Sequence, residues 1–243
     1  MFDLSNKVVV ITGGAGLLGK MHAEAVTEAG GTAILTDVVD SDGQYCHHMD
    51  VTNKSSIEKF INTLDNVDVL INNAAVNPTM SEKKKSNRFE DFDVNVWNKS
   101  LEVNLTGVFL CSQVFINKMI KNKTKGVIIN VASDLGVIAP DHRIYDNDVK
   151  PVDYSVTKHG VIGLTKYLAT YFADKNIRIN SISPGGVYTN QPKGFVKRLS
   201  NLIPMNRMAN IDEYKGSIVF LCSNASSYMT GHNLIVDGGR SVW

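Results

Sequence analysis

The sequence lacks an excess of charge of either sign. Its 243 residues include 25 Lys and Arg against 24 Asp and Glu, a formal net charge of +1, and the basic residues are scattered along the chain. This distribution leaves no broad positive surface of the kind that binds nucleic acid or an anionic membrane. We therefore expect a small-molecule partner and no nucleic acid.

Long apolar runs are also missing. Runs such as Val8–Ile11 fall far short of the roughly 18 apolar residues that a membrane span requires. The first residues show no basic region followed by an apolar one, which is the pattern of a secretory signal. We expect a cytoplasmic protein with no membrane partner.

Cysteine is scarce. Cys46, Cys111 and Cys222 are odd in number and widely spaced, which fits neither a disulfide framework nor a metal or redox motif. We expect reduced, buried thiols that pack as small hydrophobes. No pair among the six histidines stands in the context of a metal site, so no metal is predicted.

What the sequence does contain is enough apolar material for a sizeable core, with 43% hydrophobic and 20% charged residues. No internal repeat and no change in composition divides the chain, so we predict one domain over residues 1–243. Short β-branched runs alternate with amphipathic stretches, and this favours a doubly wound parallel sheet with helices on both faces, a Rossmann-like α/β fold. The predicted strands are Lys7–Ile11, Thr32–Thr36, Tyr45–Met49, Val67–Ile71, Val127–Val131, Arg178–Ile182 and Asn233–Val236.

A glycine-rich turn, Thr12–Gly19, lies between the first predicted strand and a helical pattern from Lys20 to Ala29. Glycines let the backbone turn sharply beside a pyrophosphate, and a helix N-terminus offers free N–H groups to phosphates. The second strand then ends near Asp37, where a carboxylate can accept hydrogen bonds from the adenosine ribose and repel a 2′-phosphate. Val38 and Val39 follow instead of a basic residue, so NAD is the predicted cofactor.

Further blocks, in order along the chain, make the sequence resemble the short-chain dehydrogenase/reductase family from Lys7 to Gly239. The blocks are Asp50-Val51, Asn72-Asn73-Ala74-Ala75, Asn104, Ser133, Tyr154-Ser155-Val156-Thr157-Lys158, Pro184-Gly185-Gly186-Val187-Tyr188-Thr189 and Val236-Asp237-Gly238-Gly239. The resemblance implies that NAD is bound by Gly13, Ala15, Gly16, Leu17, Leu18, Gly19, Asp37, Asp50, Val51, Asn73, Ala74, Ala75, Tyr154, Lys158, Pro184, Gly185, Val187 and Thr189. It also implies NAD-dependent hydride transfer between an alcohol and a carbonyl.

The predicted catalytic residues are Ser133, Tyr154, Lys158 and Asn104. Hydride transfer needs a proton donor or acceptor at the substrate oxygen. Tyr154 can fill that role if a nearby ammonium favours its phenolate, and Lys158, four residues later, shares its helix face. By the resemblance, Ser133 binds the substrate oxygen and Asn104 helps to hold the lysine through water.

Two departures from the family pattern leave alternatives open. Leu17 stands where the single-domain members have glycine, and the spacing of Gly13, Gly16 and Gly19 resembles the extended branch of sugar-nucleotide epimerases and dehydratases. Those enzymes carry a further substrate domain, for which 243 residues leave no space. Ala75 replaces another family glycine. Epimerisation or dehydration, and a non-catalytic NAD-binding regulator, stay as alternatives to a dehydrogenase.

Three segments are interpreted as substrate loops, residues 77–95, 134–153 and 189–204. Their basic residues are Lys83, Lys84, Lys85, Arg88, His142, Arg143, Lys150, Lys193, Lys197 and Arg198. This charge on a nearly neutral protein favours an anionic substrate such as a sugar phosphate or nucleotide-linked sugar. The loops also resemble those of bacterial surface-glycan enzymes, including the flagellin modification protein A type. The family resemblance further implies a homotetramer, or else a homodimer.

Overall fold

The structure is a computed structural model that describes residues 1–39, 46–77, 87–146 and 148–243. The described strands form one parallel sheet in the order β3-β2-β1-β4-β5-β6-β7. They are β1 (Val8–Thr12), β2 (Thr32–Asp37), β3 (Cys46–His48), β4 (Val69–Asn72), β5 (Val127–Val131), β6 (Arg178–Pro184) and β7 (Asn233–Val236). The order reverses between β1 and β4, and this confirms the predicted doubly wound fold.

Strand bounds differ from the predicted ones by a few residues. β4 begins at Val69 rather than Val67. At this edge the Asp68 carboxylate accepts the Val8 backbone N–H at 2.9 Å and pairs with Lys7 at 3.3 Å. β6 runs on to Pro184. The predicted start of the third strand, Tyr45, lies outside the described residues.

Helices cover both faces of the sheet. They are α1 (Leu17–Glu28), α2 (Lys54–Ile61), α3 (Val94–Leu101), α4 (Gly107–Lys121), α5 (Val152–Tyr171), α6 (Lys193–Ser200) and α7 (Lys215–Cys222). Side chains alternate along each strand, so Val10, Leu70 and Ile128 pack with α2, α4 and α5. Their neighbours Val9 and Ile71 pack with α1 and α7 on the other face.

A π-helical turn, Glu102–Thr106, joins α3 to α4 and makes one helix from Val94 to Lys121. By length and composition alone this helix could cross a membrane, but half of its most apolar stretch is buried inside the protein. Core helices pass the same test, so the helix is weak evidence for a membrane. A π turn inside an α-helix often marks a functional position, and this one carries Asn104.

Candidate active site

A cavity of about 840 Å³ opens at the carboxyl ends of β1, β4, β5 and β6. This is the edge of an open α/β sheet at which ligands bind, and the volume lies in the range of cofactor and ligand sites. Of the predicted cofactor-binding and catalytic residues, all line the cavity except Ala15, Gly19 and Asn104. The structure therefore brings together blocks that lie far apart in the sequence.

In the glycine turn after β1, a side chain would not fit at Gly13 or at Gly19. Gly13 has φ +64°, and a Cβ atom there would lie 2.7 Å from the Ala74 Cα. A Cβ at Gly19 would collide with the Gly13 carbonyl. Gly19 therefore allows the backbone of the first turn of α1 to approach Gly13 closely. Leu17 begins α1 and is half exposed on the cavity side of the turn.

Asn73 fastens the turn to the end of β4. Its side-chain amide donates to the carbonyls of Thr12 and Gly13, both at 3.0 Å. The Thr12 hydroxyl in turn accepts the backbone N–H groups of Asn73 and Ala74, at 3.1 and 3.0 Å. Ala75 follows on the exposed side of this block and lines the cavity.

Asp37 faces the glycine turn from the end of β2. One carboxylate oxygen accepts the Ala15 N–H at 3.1 Å, and the other accepts the Val38 N–H at 2.7 Å. Ala15 thus contributes by holding Asp37 rather than by lining the cavity. A carboxylate fixed here and glycines that permit close backbone approach are features of dinucleotide sites, so the described residues fit a nicotinamide dinucleotide.

Asp50 and Val51, which follow β3, line the same cavity. Asp50 is held by its own turn, since its carboxylate accepts the backbone N–H and the hydroxyl of Thr52 at 2.9 and 2.8 Å. At the opposite end, Val187 and Thr189 line the cavity after β6. Gln191 fixes this segment by bonding the Thr189 N–H and the Val187 carbonyl, both at 2.8 Å.

Tyr154 and Lys158 point from α5 into the centre of the cavity. Lys158 Nζ donates to the Val131 carbonyl at 2.8 Å and lies 5.7 Å from the centre of the Tyr154 ring. Burial raises the pKa of Tyr154 to about 12, although the Ser133 hydroxyl acts in the opposite direction. Burial, and then the positive charge of Lys150, lowers the pKa of Lys158 to about 8.

The expected lowering of the phenol pKa is therefore wrong for the protein without cofactor. The cause is that desolvation of Tyr154 outweighs the pull of an ammonium group that bonds Val131 instead of the phenol. A bound cofactor with a positively charged nicotinamide would favour the phenolate at this position. The two side chains still share one face of α5, as their spacing predicts.

Asn104 does not contact Lys158 directly. Its side-chain oxygen accepts the Val76 N–H at 2.7 Å, and its amide donates to the Val76 carbonyl at 3.0 Å and to the Thr157 hydroxyl at 3.4 Å. Asn104 thus pins the segment after β4 against α5, next to Lys158. The expected water-mediated contact with the lysine stays a prediction.

An ion pair at the base of the cavity was missed from the sequence. Asp134 and Arg240 both line the cavity and pair at 2.7 Å, with side chains 5% and 7% exposed. The other Asp134 oxygen accepts the Ser133 hydroxyl and the Leu135 N–H, each at 2.8 Å. The pair therefore holds the serine that faces Tyr154.

The basic residues of the predicted loops have different surroundings. Arg143 makes a two-pronged pair with Asp141, and Arg198 pairs with Asp146 at 2.6 Å. Lys83, Lys84 and Lys85 lie outside the described residues. Lys150 was given no special role from the sequence, yet its Nζ lies 3.9 Å from the centre of the Tyr154 ring.

The cavity also has an apolar part, where the substrate loops meet, that sequence reasoning did not predict. Ile144, Tyr145, Phe195, Leu199 and Met208 line the cavity where the 141–150 loop meets α6. No pattern distinguishes them from core residues in the sequence. Within the described parts of the chain, no group of three or more His, Cys, Asp or Glu side chains could hold a metal ion.

The chain is similar to oxidoreductases over nearly its whole length. A family model described as Enoyl-(Acyl carrier protein) reductase matches residues 16–241. The chain is 34% identical to an NAD-dependent glycerol dehydrogenase of Listeria innocua, over 99% of this chain and 96% of that protein. It is 29% identical to the post-translational flagellin modification protein A of Campylobacter coli, over 97% and 98%.

Solved structures give the same result. A short-chain dehydrogenase from Leptospira borgpetersenii with bound NAD+ superposes with a TM-score of 0.90 at 35% identity, covering 99% of this chain and 94% of that one. A gluconate 5-dehydrogenase from Burkholderia cenocepacia, in complex with NADP and tartrate, has a TM-score of 0.85 at 26% identity, covering 100% and 98%.

Proposed function

The chain belongs to the short-chain dehydrogenase/reductase family, and on this premise we propose that it oxidises an alcohol, or reduces a carbonyl, through Tyr154 with NAD as cofactor. The observation that carries the proposal is the meeting of Ser133, Tyr154 and Lys158 in one cavity beside the glycine turn and Asp37. Fold alone would not support it, because folds host many functions.

The chemistry of these side chains follows from their positions. The hydroxyls of Ser133 and Tyr154 hold the substrate oxygen, and Tyr154 gives a proton to it during reduction or takes one during oxidation. Lys158 supplies the positive charge that favours the phenolate when the proton leaves. When bound, the nicotinamide accepts or donates the hydride, while the chain supplies orientation and proton transfer.

The preference for NAD over NADP rests on Asp37. Its carboxylate is fixed against the turn by the Ala15 N–H, and a ribose 2′-phosphate would meet its negative charge. Val38 and Val39 are exposed next to it and offer no cation. Relatives of both kinds exist, since the Leptospira structure holds NAD+ and the Burkholderia structure NADP.

The proposed substrate is a polyhydroxy compound that carries an anionic group, such as a sugar phosphate or a nucleotide-linked sugar. Support comes from Lys150, the predicted loop cation that lines the cavity, and from the relatives named for glycerol, gluconate and flagellin modification. Arg143 and Arg198 are weaker candidates for binding the substrate anion because each already has a carboxylate partner. Lys150 is the stronger candidate.

The alternatives are less well supported. A non-catalytic NAD-binding regulator would have no need for both Tyr154 and Lys158, and these share one face of α5. Epimerisation or dehydration rests only on the spacing of the glycines, whereas three of the four similar proteins reported above are named dehydrogenases.

We also propose a homotetrameric, cytoplasmic protein. Helices α4 and α5 keep large apolar side chains on their exposed faces, including Phe109, Val156, Tyr167 and Tyr171. Tyr167 and Tyr171 stack with their ring centres 5.9 Å apart. Such faces are typical of an interface between copies of a chain, and light scattering would give the number of subunits.

A direct test is oxidation of a panel of polyols, hydroxy acids and sugar phosphates with NAD+ or NADP+. The proposal expects cofactor reduction with at least one compound, faster with NAD+, and none by Tyr154→Phe. A protein that binds NAD+ but turns over no alcohol, and reduces no corresponding ketone with NADH, would contradict the proposal.

A further inference from the structure

Lys150 brings a positive charge to the edge of the reacting centre. It lies in the loop before α5, four residues ahead of Tyr154, and lines the cavity. Its Nζ is 3.9 Å from the centre of the Tyr154 ring, closer than that of Lys158 at 5.7 Å. The same Nζ donates to the Asn77 side-chain oxygen at 2.8 Å, so residues from two of the predicted substrate loops meet here.

The other cations of the cavity already have partners. Among the described residues that line it, Lys99 pairs with Glu102 at 3.0 Å and Arg240 with Asp134 at 2.7 Å. Lys158 bonds a carbonyl and serves Tyr154. Lys150 contacts only a neutral amide oxygen and the ring face, and it forms no ion pair with a described residue.

Nearby carboxylates do not neutralise this charge. Asp134 is engaged by Arg240, and Asp153 accepts a short hydrogen bond from the Ser100 hydroxyl in the interior. Lys150 is partly buried, and partial removal of an ammonium group from water without a counter-ion is costly, which lowers the pKa of Lys150 to about 8. An anionic group on a bound molecule would relieve this cost by pairing with Lys150.

We propose that Lys150 is the substrate's anion-binding residue, and that it reads a carboxylate or phosphate within one or two carbon atoms of the carbon that exchanges the hydride. This inference rests on the proposed function, since Tyr154 marks the position of the reacting oxygen. Because Nζ lies over the ring of that tyrosine, an anion that it contacts must be a close neighbour of the reacting carbon. An anion several bonds away would extend beyond its reach.

The test uses substrate pairs in which a carboxylate replaces a hydroxymethyl group or a phosphate is added to a hydroxyl. The anionic probes are glycerate, tartrate and glycerol 3-phosphate, and the neutral partners are glycerol and threitol. The rate of NAD+ reduction is measured for the wild type, Lys150→Met and Lys150→Arg. Methionine keeps most of the side-chain stem without the charge, and arginine keeps the charge. Lys59→Met is the matched control, because Lys59 is an exposed cation of α2 that does not line the cavity.

The expected readout is the ratio of kcat/KM for an anionic compound to that for its neutral partner. Lys150→Met should lower this ratio by about tenfold or more, which corresponds to one lost charge-assisted hydrogen bond. The loss should appear mainly in KM, and Lys150→Arg should restore part of the ratio. Lys59→Met should leave the ratio unchanged.

An equal loss of activity on anionic and neutral compounds would overturn the inference and assign Lys150 to the shape of the loop. A binding measurement separates this failure from that of the proposed function. Calorimetry with tartrate and glycerol 3-phosphate on the NADH-saturated protein should give weaker binding for Lys150→Met, by about tenfold, even if no compound is turned over. Equal binding by the wild type and Lys150→Met would refute the anion site on its own.

Discussion

The carboxylate of Asp134 and the guanidinium of Arg240 form an ion pair of 2.7 Å in the interior, although 106 residues separate them in the sequence. Asp134 also accepts the Ser133 hydroxyl. The pair therefore links the C-terminal segment to the residue that faces Tyr154. Arg240 is the counter-ion of the buried Asp134 carboxylate, whose negative charge contributes to the raised pKa of Tyr154.

Removal of one member of the Asp134–Arg240 pair should lower the free energy of unfolding more than removal of both charges. We expect Arg240→Met to destabilise the protein by roughly 3–5 kcal/mol because it leaves a buried carboxylate without a counter-ion, whereas Asp134→Asn with Arg240→Met should cost less. Urea unfolding of both variants checks this. Arg143→Met, which breaks a pair with an exposed guanidinium, is the control and should cost at most about 1 kcal/mol. Equal losses in the single and double variants would contradict the expectation.

Asp37→Ala should narrow the preference for NAD over NADP. The substitution removes the charge that a ribose 2′-phosphate would meet and the acceptor of the Ala15 N–H, so kcat/KM should fall with NAD+ and hold or rise with NADP+. Steady-state rates with both cofactors measure this. Asp174→Ala, at an exposed site near the end of α5, should change neither. A native enzyme with equal kcat/KM for both cofactors would contradict the role of Asp37.

Two glycine substitutions should have opposite effects. Gly13→Ala places a Cβ 2.7 Å from the Ala74 Cα at φ +64°, so both stability and NAD binding should fall. Gly216→Ala, in α7, meets no atom within 4 Å and should stabilise the protein by up to about 1 kcal/mol, since alanine is the better helix former. Thermal unfolding with and without NAD+ distinguishes the two. A Gly13→Ala protein with normal NAD affinity would show that the turn does not approach the cofactor.

His22 should make the protein sensitive to acid. It is fully buried in α1, its ring nitrogens have no hydrogen-bond partner among the described residues, and burial lowers its pKa to about 3. The unfolded chain binds this proton below about pH 6.5, whereas the folded chain does so only near pH 3. Stability is therefore lost as the pH falls through this window, by about 2 kcal/mol between about pH 7 and pH 5.

The His22→Leu variant should lack this part of the acid destabilisation, as measured by urea unfolding at the two pH values. His232→Gln is the control, because His232 is exposed and should leave the difference unchanged. If His22→Leu loses as much stability as the wild type on acidification, other groups cause the acid sensitivity.

Local pattern was enough to predict the sheet and the cofactor end. The central strands β1, β4 and β5 are short apolar runs that are almost wholly buried, and the glycine turn needs backbone geometry that few residues other than glycine can adopt. Arg240, which the sequence analysis missed, reaches the site only through the fold, and so does Lys150, which was predicted only as one of several loop cations. Lys150 approaches Tyr154 because the loop before α5 doubles back, and Arg240 approaches Asp134 because β7 pairs with β6. The pKa of Tyr154 was misjudged because it depends on burial, which spacing does not reveal.

The most direct measurement of the central claim compares the wild type with Tyr154→Phe in two assays on the same preparations, NADH formation from the best substrate and NAD+ binding. The substitution removes the oxygen that exchanges the proton and little else. We expect turnover to disappear while the Kd for NAD+ stays within a few-fold, whereas Lys158→Ala should damage both. Retention of more than about a tenth of the wild-type kcat, a loss below ~1.4 kcal/mol in transition-state stabilisation, would show that Tyr154 is not the proton-transferring residue.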